Sequence, residues 1–205
     1  MMRTNEEIIE DSKNNFQVKS MELISSYRDG YIGKDVYQVT LNNGLVRKMD
    51  RIIKAGGNGD AVIILPVTTD EKYVVIVESR PNIKNGIAIE FPAGMVDPGE
   101  EPIVAAKREL LEETGYSCKN IIEMENHFQD QGCSNAIIRI FLATGCEKIS
   151  DQRLDDTESI RYMEMTYEEI SDMVLNADTN RIGMNDSGSK LAFMAYTLKY
   201  KNKNL

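Results

Sequence analysis

A chain of 205 residues with a net charge of −9 and a pI near 4.8 is long enough for one domain, or one with a small addition, and for a substantial buried core. The acidic balance, with no basic patch evident, excludes non-specific binding to nucleic acid and to anionic membranes, and no apolar run approaches membrane-spanning length. Cys118, Cys133 and Cys146 make an odd count without metal-like spacing, and the start MMRTNEEIIEDSKNN has no apolar signal core, so a reducing cytoplasm is the expected compartment.

Residues up to about Asn15 are polar and acidic and are expected as a short helix or a frayed terminus. Val18–Ser25, Lys34–Leu41 and Leu45–Ile53 read as strands, and Asn42-Asn43-Gly44 between the last two is a hairpin signal. Residues 1–57 are therefore expected as a three-stranded antiparallel unit. Three strands bury little, so this unit has to pack on its own domain or on a second chain, which makes it a candidate dimerisation element. The Gly56-Gly57-Asn58-Gly59-Asp60 cluster marks a boundary, with the main domain over 58–205. No helix follows the cluster to make it a phosphate loop.

Ala61–Val67 and Tyr73–Glu78 read as buried strands joined by the polar turn Thr68–Lys72, and Ile87–Phe91 as a short strand leading into Pro92-Ala93-Gly94. The next stretch, GMVDPGEEPIVAAKRELLEETGY, organises the chain. Asp97-Pro98-Gly99 is turn chemistry, Pro102 suits the first position of a helix, and Gly115 suits a left-handed cap, so a helix is expected from about Pro102 to Thr114. At 100° per residue, Ile103, Val104, Ala106, Leu110 and Leu111 share a face expected to pack, and Glu109, Glu112 and Glu113 gather on a face expected to look out, with Ala105 leaving it open. Like charges at these spacings repel, and Glu112 and Glu113 lie at the unfavourable end of the helix dipole. Arg108, four residues before Glu112, can hold one carboxylate but not three. A hard divalent cation can hold several, and periodicity alone leaves this reading and a solvated Glu-rich helix both open.

Further on, Ile137–Ala143 and Arg161–Met165 read as strands, with the acidic loop Asp151–Ser159 between them. Thr166 to Glu169 is a capping box opening a helix to about Leu175. Asp186 or Ser187 starts a last helix whose Leu191, Met194, Ala195 and Leu198 are expected as its core stripe, with lysines suited to its C-terminal end. His127, the sole histidine, is expected at a strand start or in a loop, and the cysteines are expected to be structural because no base is identifiable beside any of them.

Gly94, Glu100, Arg108, Glu109, Leu110, Glu112, Glu113, Gly115 and Tyr116 fill every fixed position of the pattern G-x5-E-x7-R-E-U-x-E-E-x-G-U, with U apolar, and the stretch resembles the Nudix box. The resemblance implies an α/β/α sandwich with a mixed sheet, here preceded by a small antiparallel β unit. It also implies hydrolysis of a nucleoside diphosphate linked to another moiety, with Mg²⁺ or Mn²⁺ held by the box glutamates. The order strand, strand, E-F-P-A-G, box is similar to the ADP-ribose and ADP-sugar pyrophosphatases. That likeness implies that Arg80 contacts substrate phosphate and that the carbonyl of Ala93 and the carboxylates of Glu109 and Glu113 bind metal. It further implies that Glu112 sits on a further ion, that Glu100 and Arg108 support the cluster, and that Glu158 on the acidic loop is the candidate general base. Tyr27, Tyr31 and Tyr37 are candidates for stacking on adenine, Tyr31 first, in a homodimer whose N-terminal strands complete the partner's site. ADP-ribose, cleaved to AMP and ribose 5-phosphate, is the implied substrate. One departure bears on it: Gln131-Gly132 stands where many of these enzymes carry proline-glycine, in a region used to discriminate substrates. ADP-glucose, GDP-mannose, NADH or a flavin nucleotide therefore stay open as substrates, as does a module that senses a nucleotide without cleaving it.

Overall fold

In the computed structural model, which describes residues 3–54, 57–156 and 158–201, Thr4 opens helix α1 (Asn5–Phe16). The Thr4 side chain accepts the Glu7 N–H, and Glu7 reaches back to the Thr4 N–H, so two otherwise orphaned donors are satisfied and the terminus is helical rather than frayed. Strands β1 (Val18–Asp29), β2 (Ile32–Leu41) and β3 (Val46–Lys54) follow, antiparallel and in that order, as expected. β1 runs past its expected end because its last residues find polar partners across the ladder. Asp35, only 7 % exposed, accepts from Ser26 Oγ at 2.6 Å and pairs with Arg28 at 2.8 Å.

By its contacts the chain forms two compact units, Met1–Gly59 with Phe128–Ala136, and Asp60–His127 with Ile137–Leu205. The loop carrying Gln131-Gly132 thus belongs with the N-terminal sheet, where the Ile52 N–H donates to the Cys133 carbonyl at 2.8 Å and Lys54 Nζ to Gln129 at 2.7 Å. Ala55 and Gly56, the latter the first residue of the glycine cluster read as a boundary, lie outside the described residues.

The second unit is built on β4 (Ala61–Thr68), β5 (Tyr73–Ser79), β6 (Ile87–Glu90), β7 (Ala93–Met95), α2 (Pro102–Thr114), β8 (Tyr116–Ser117), β9 (Asn120–Phe128), β10 (Ile137–Lys148), β11 (Ile160–Met165), α3 (Tyr167–Leu175) and α4 (Ser187–Tyr196). The sheet order is β11-β5-β4-β10-β8, with β6 on β5, β7 on β4 and β9 on β10. β4 and β10 run parallel, Ile63 opposite Ile140, inside an otherwise antiparallel set. Both are covered on both faces, which is why their sequences read as unbroken apolar runs. α3 and α4 bury Ile170 and Phe193 with Leu65, Tyr73 and Ile140 on one face. On the other, α2 packs Ala105, Ala106 and Leu110 on Val62, Ile64 and Phe141. This is the mixed-sheet α/β/α sandwich that the resemblance implies. Strands β7, β8 and β9 were not anticipated.

Two helices turn a different face inward from the one their apolar residues suggest. In α2, Ile103 and Val104 are exposed, at 41 % and 53 %, while Ala105 is fully buried and Glu109 and Glu113 are buried at 8 % and 3 %. The inward stripe is Ala105, Ala106, Glu109, Leu110, Glu113 and Thr114. Small residues let the helix lie close on the sheet, and close approach there outweighs the burial of larger side chains elsewhere. The acids do not simply look out, and Ala105 is core rather than an open approach. Of the stripe expected for the last helix, Ala195 is buried and Leu191 packs against the core, but Met194 and, beyond the end of α4, Leu198 are exposed, while Gly188, Ser189, Ala192 and Phe193 are buried. A Cβ on Gly188 would lie 2.3 Å from Ile63 Cδ1, so this helix also approaches through its small residues. His127 lies within β9, near its end, with Nδ1 buried and without a hydrogen-bond partner among the described residues.

Asp186 caps α4 as expected, its Oδ1 accepting the Ser189 N–H at 2.6 Å, while Oδ2 is buried without a hydrogen-bond partner among the described residues. Burial raises its pKa, partly offset by the Ser189 N–H, with Glu90 adding to the rise. A carboxylate whose pKa is raised on folding favours the fold most when protonated, so its contribution is lost as pH climbs through and beyond the unfolded value of about 4. Asp186→Asn keeps the capping acceptor and removes the buried charge. In thermal melts from pH 3.5 to 7 the variant should gain in Tm relative to wild type as pH rises, whereas a difference that does not change with pH would refute this account.

Candidate active site

The loop into α2 is closed on itself. The Glu100 N–H donates to the Asp97 carbonyl at 3.0 Å, the Asp97 N–H donates to the Glu100 carboxylate at 3.1 Å, and Gly99 takes φ +83°. This aims Glu100 at Arg108. Arg108 Nε and Nη2 bond the two Glu100 oxygens at 3.0 and 2.9 Å, Nη2 also reaches the Met95 carbonyl at 3.0 Å, and Nη1 bonds Glu109 at 2.7 Å and Glu112 at 3.1 Å. All five N–H groups of the guanidinium are therefore engaged. Hydrogen bonds to Glu100 foremost, then the Glu109 charge, hold its pKa above the ordinary range, and the same pairing lowers that of Glu100.

Glu109 and Glu113 stand deeper. Glu109 lies over the backbone of Gly94, where a Cβ would come within 1.9 Å of its Oε1, so only glycine leaves room for it. Burial raises its pKa, with Arg108 offsetting part of the rise. Glu113 accepts the Ala93 N–H at 3.0 Å and has no cation in direct contact among those described. Desolvation pushes its pKa to about 9, against the Ala93 N–H and assisted by the charges of Glu109, Glu78 and Glu158. Ala93 is thus tied to Glu113 through its N–H. Glu112, with its side chain 40 % exposed, marks the outer side of the cluster.

Arg80 ends the β5 side of this cluster, paired with Glu90 on β6 at 2.6 Å and with Glu78 at 2.8 Å. Glu158 is half-buried on the loop before β11, its carboxylate accepting the Asp155 N–H at 2.9 Å, and its charge acts on Glu78, Glu109 and Glu113. Asp155 and Asp156 are exposed. The loop is fastened at its base: the Gln152 amide donates to the Glu113 and Ile160 carbonyls, and the Arg153 N–H donates to the Glu112 carbonyl at 2.8 Å. The Glu112 and Glu113 carbonyls are among those left unpaired by the end of α2, so the loop finishes the helix that carries the acids. Arg80, Ala93, Glu100, Arg108, Glu109, Glu112, Glu113 and Glu158 are all brought together in the second unit. Tyr31 belongs to the first unit, in the turn between β1 and β2, 56 % exposed. The cysteines are free among the described residues, and burial pushes the Cys146 thiol up to about 12, which leaves it no nucleophile.

Sequence reasoning missed Glu78, Glu90 and Gln152. A signal for the first two was present, since each is a carboxylate at the end of an apolar strand run, VVIVE and IAIE, where a buried acid needs a partner. Gln152 carried none.

Among the described residues no group of three or more His, Cys, Asp and Glu side chains stands disposed to hold a metal ion. Three of the box carboxylates point at the Arg108 guanidinium instead. The donor chemistry nevertheless fits a hard divalent cation: all-oxygen ligands, two of them buried carboxylates short of positive charge, beside a backbone kept bare by Gly94.

Residues 57–184 match the NUDIX domain family. The chain is 35% identical over 140 residues to an ADP-ribose pyrophosphatase of Bacillus subtilis, covering 68% of this chain and 73% of that protein. It is 30% identical over 155 residues to a methanol dehydrogenase activator of Bacillus methanolicus, covering 75% and 81%. A solved structure described as an ADP compounds hydrolase superposes with a TM-score of 0.73 at 20% identity over 92% of this chain and 95% of that one, a likeness of fold. With a complete box folded into a buried acidic cluster on the matching sandwich, the chain belongs to the NUDIX family and is a pyrophosphohydrolase.

Proposed function

We propose that the enzyme hydrolyses ADP-ribose to AMP and ribose 5-phosphate with Mg²⁺, or Mn²⁺, held by Glu109, Glu112 and Glu113 and the Ala93 carbonyl, with Glu100 in support. The observation that carries this is the pair Glu109 and Glu113, buried without enough positive charge and opposite Arg80 in the same cluster. The likeness to an ADP-ribose pyrophosphatase supports the choice of substrate. A bound divalent cation neutralises pyrophosphate charge and lowers the pKa of a water. The protein's own groups do the rest. Arg108 holds Glu100, Glu109 and Glu112 apart in fixed directions and gives up part of that pairing when the carboxylates turn to a metal. Arg80 grips a phosphate, and Glu158 is the proposed proton acceptor for the attacking water, its loop anchored to α2 by Gln152.

Tyr31 is proposed to stack on the adenine, in a homodimer and in the cytoplasm. The N-terminal sheet supports the dimer through the exposed side chains of Leu23, Ile24, Tyr27, Ile32 and Val46, an apolar set that a second copy can cover. Light scattering coupled to gel filtration tests it.

The substrate is tested by incubating the protein with Mg²⁺ and ADP-ribose, ADP-glucose, GDP-mannose, NADH or a dinucleoside polyphosphate and separating the products by ion exchange. Preferred release of AMP and ribose 5-phosphate from ADP-ribose is expected, and would show that Gln131 serves in place of proline. Preference for another substrate overturns the specificity assigned here. Tight binding of ADP-ribose without product in either metal would mark a nucleotide sensor.

A further inference from the structure

A guanidinium can grip an oxyanion with two parallel N–H bonds along either of two edges, Nε/Nη2 or Nη1/Nη2. In Arg80 both edges are taken. Glu90 holds the first, with Nη2 at 2.6 Å and Nε at 3.2 and 3.3 Å from its two oxygens. Glu78 holds the second, with Nη1 at 3.0 Å and Nη2 at 2.8 Å. A substrate phosphate cannot be gripped by two bonds until one carboxylate leaves.

The two carboxylates are not equivalent. Glu90 makes the shorter contact; it pairs with Ile76 in the sheet, and the following Phe91 N–H donates to Ser189 Oγ at 3.0 Å. Its side chain is 11 % exposed. Glu78 comes from β5 itself, two residues before Arg80, paired in the sheet with Ile160 and Ala88, and its side chain is 16 % exposed. It also meets the charges of Glu90 and Glu158. Repulsion acts on both carboxylates, and the backbone holds both; the difference lies in the grip, since Glu90 meets Arg80 with the shorter and more numerous contacts and is the less exposed of the two.

We propose that Glu78 is an internal competitor for the Nη1/Nη2 edge of Arg80, displaced by the substrate's phosphate, and that Glu90 is a positioning residue that keeps hold of the other edge throughout. This rests on Arg80 being the phosphate clamp. Its consequence is that neutralising two neighbouring carboxylates on one arginine has opposite effects. Glu78→Gln leaves a weaker competitor, so KM for ADP-ribose falls about three- to tenfold. Glu90→Gln loosens the guanidinium, so KM rises about tenfold. Both effects vanish in an Arg80→Ala background, because each acts through that side chain.

The experiment measures KM and kcat for the three single variants and the two double variants, with Kd for α,β-methylene ADP-ribose by calorimetry so that affinity is read apart from turnover, and with melting temperatures to confirm folding. Opposite shifts in KM and Kd that disappear without Arg80 are expected. If Glu78→Gln weakens binding as Glu90→Gln does, both are plain supports and the competitor role is overturned. If Arg80→Ala leaves KM and Kd unchanged, the phosphate clamp itself fails and this inference fails with it. A rise in KM on Arg80→Ala with no gain from Glu78→Gln overturns the inference alone.

Discussion

Glu113→Gln should lower turnover of ADP-ribose by about a hundredfold or more, an effect of the size seen when one preorganised charge contact at a reaction centre is lost. The reason lies in where the side chain sits. At 3 % exposure, against the Ala93 N–H and facing the charges of Glu109, Glu78 and Glu158, its ionised form carries a cost of desolvation and repulsion that a bound cation offsets. A glutamine keeps the shape and can still accept the Ala93 N–H, but offers a cation no charge. The fold should therefore survive. In EDTA the variant's Tm is expected at or above that of wild type, because burying the wild-type carboxyl requires it to take up a proton or stay charged and glutamine needs neither, and added Mg²⁺ should raise the Tm of wild type more than that of the variant. Steady-state turnover and paired melts with and without Mg²⁺ check both halves. Near-normal turnover sinks the assignment of Glu113 to the metal, and a collapsed Tm would mean that the charge is structural.

What could be read from the chain and what could not divide along a physical line. Local signals held. Thr166 and Glu169 form the capping box, Asp186 caps α4, and Gly115 ends α2 with φ +71° and its N–H on the Leu111 carbonyl at 2.8 Å. Each depends on residues a few positions apart, so each is visible in a short window. The rotation of α2 and α4 about their axes was not visible, because it is decided by how closely a helix can approach a sheet. Ala105, Ala106 and Gly188 offer close approach, and no hydrophobicity count gives them the weight of Ile103 or Leu198. The buried position of Glu109 and Glu113 follows from that rotation, so the box and its helix were legible while the electrostatics of its acids were not. Partners far apart in sequence were also hidden: nothing near Glu113 points to Gln152, and nothing near Arg80 shows that both its edges are occupied.

The same substitution at two glycines of the box should separate the fold from the chemistry. At Gly94 a Cβ would lie 1.9 Å from Oε1 and 2.0 Å from Cδ of Glu109, while the backbone there is pinned opposite Val62 on β4. In Gly94→Ala the strand cannot give way easily and the carboxylate can, so Glu109 is driven from its place and from Arg108. Loss of that proposed ligand position should cut turnover by about a hundredfold with a stability change of only about 1 kcal/mol. At Gly115 the obstacle is backbone: a Cβ would lie 2.0 Å from the Ser150 carbonyl oxygen, and φ of +71° is itself unfavourable for alanine. Neither can relax without pulling the loop before β11 off the end of α2, so Gly115→Ala should cost at least about 2 kcal/mol. Urea unfolding and turnover measured on both variants decide the matter. A Gly94→Ala enzyme with normal turnover would show that Glu109 need not sit where the bare backbone of Gly94 admits it, and would leave that glycine a role in folding only.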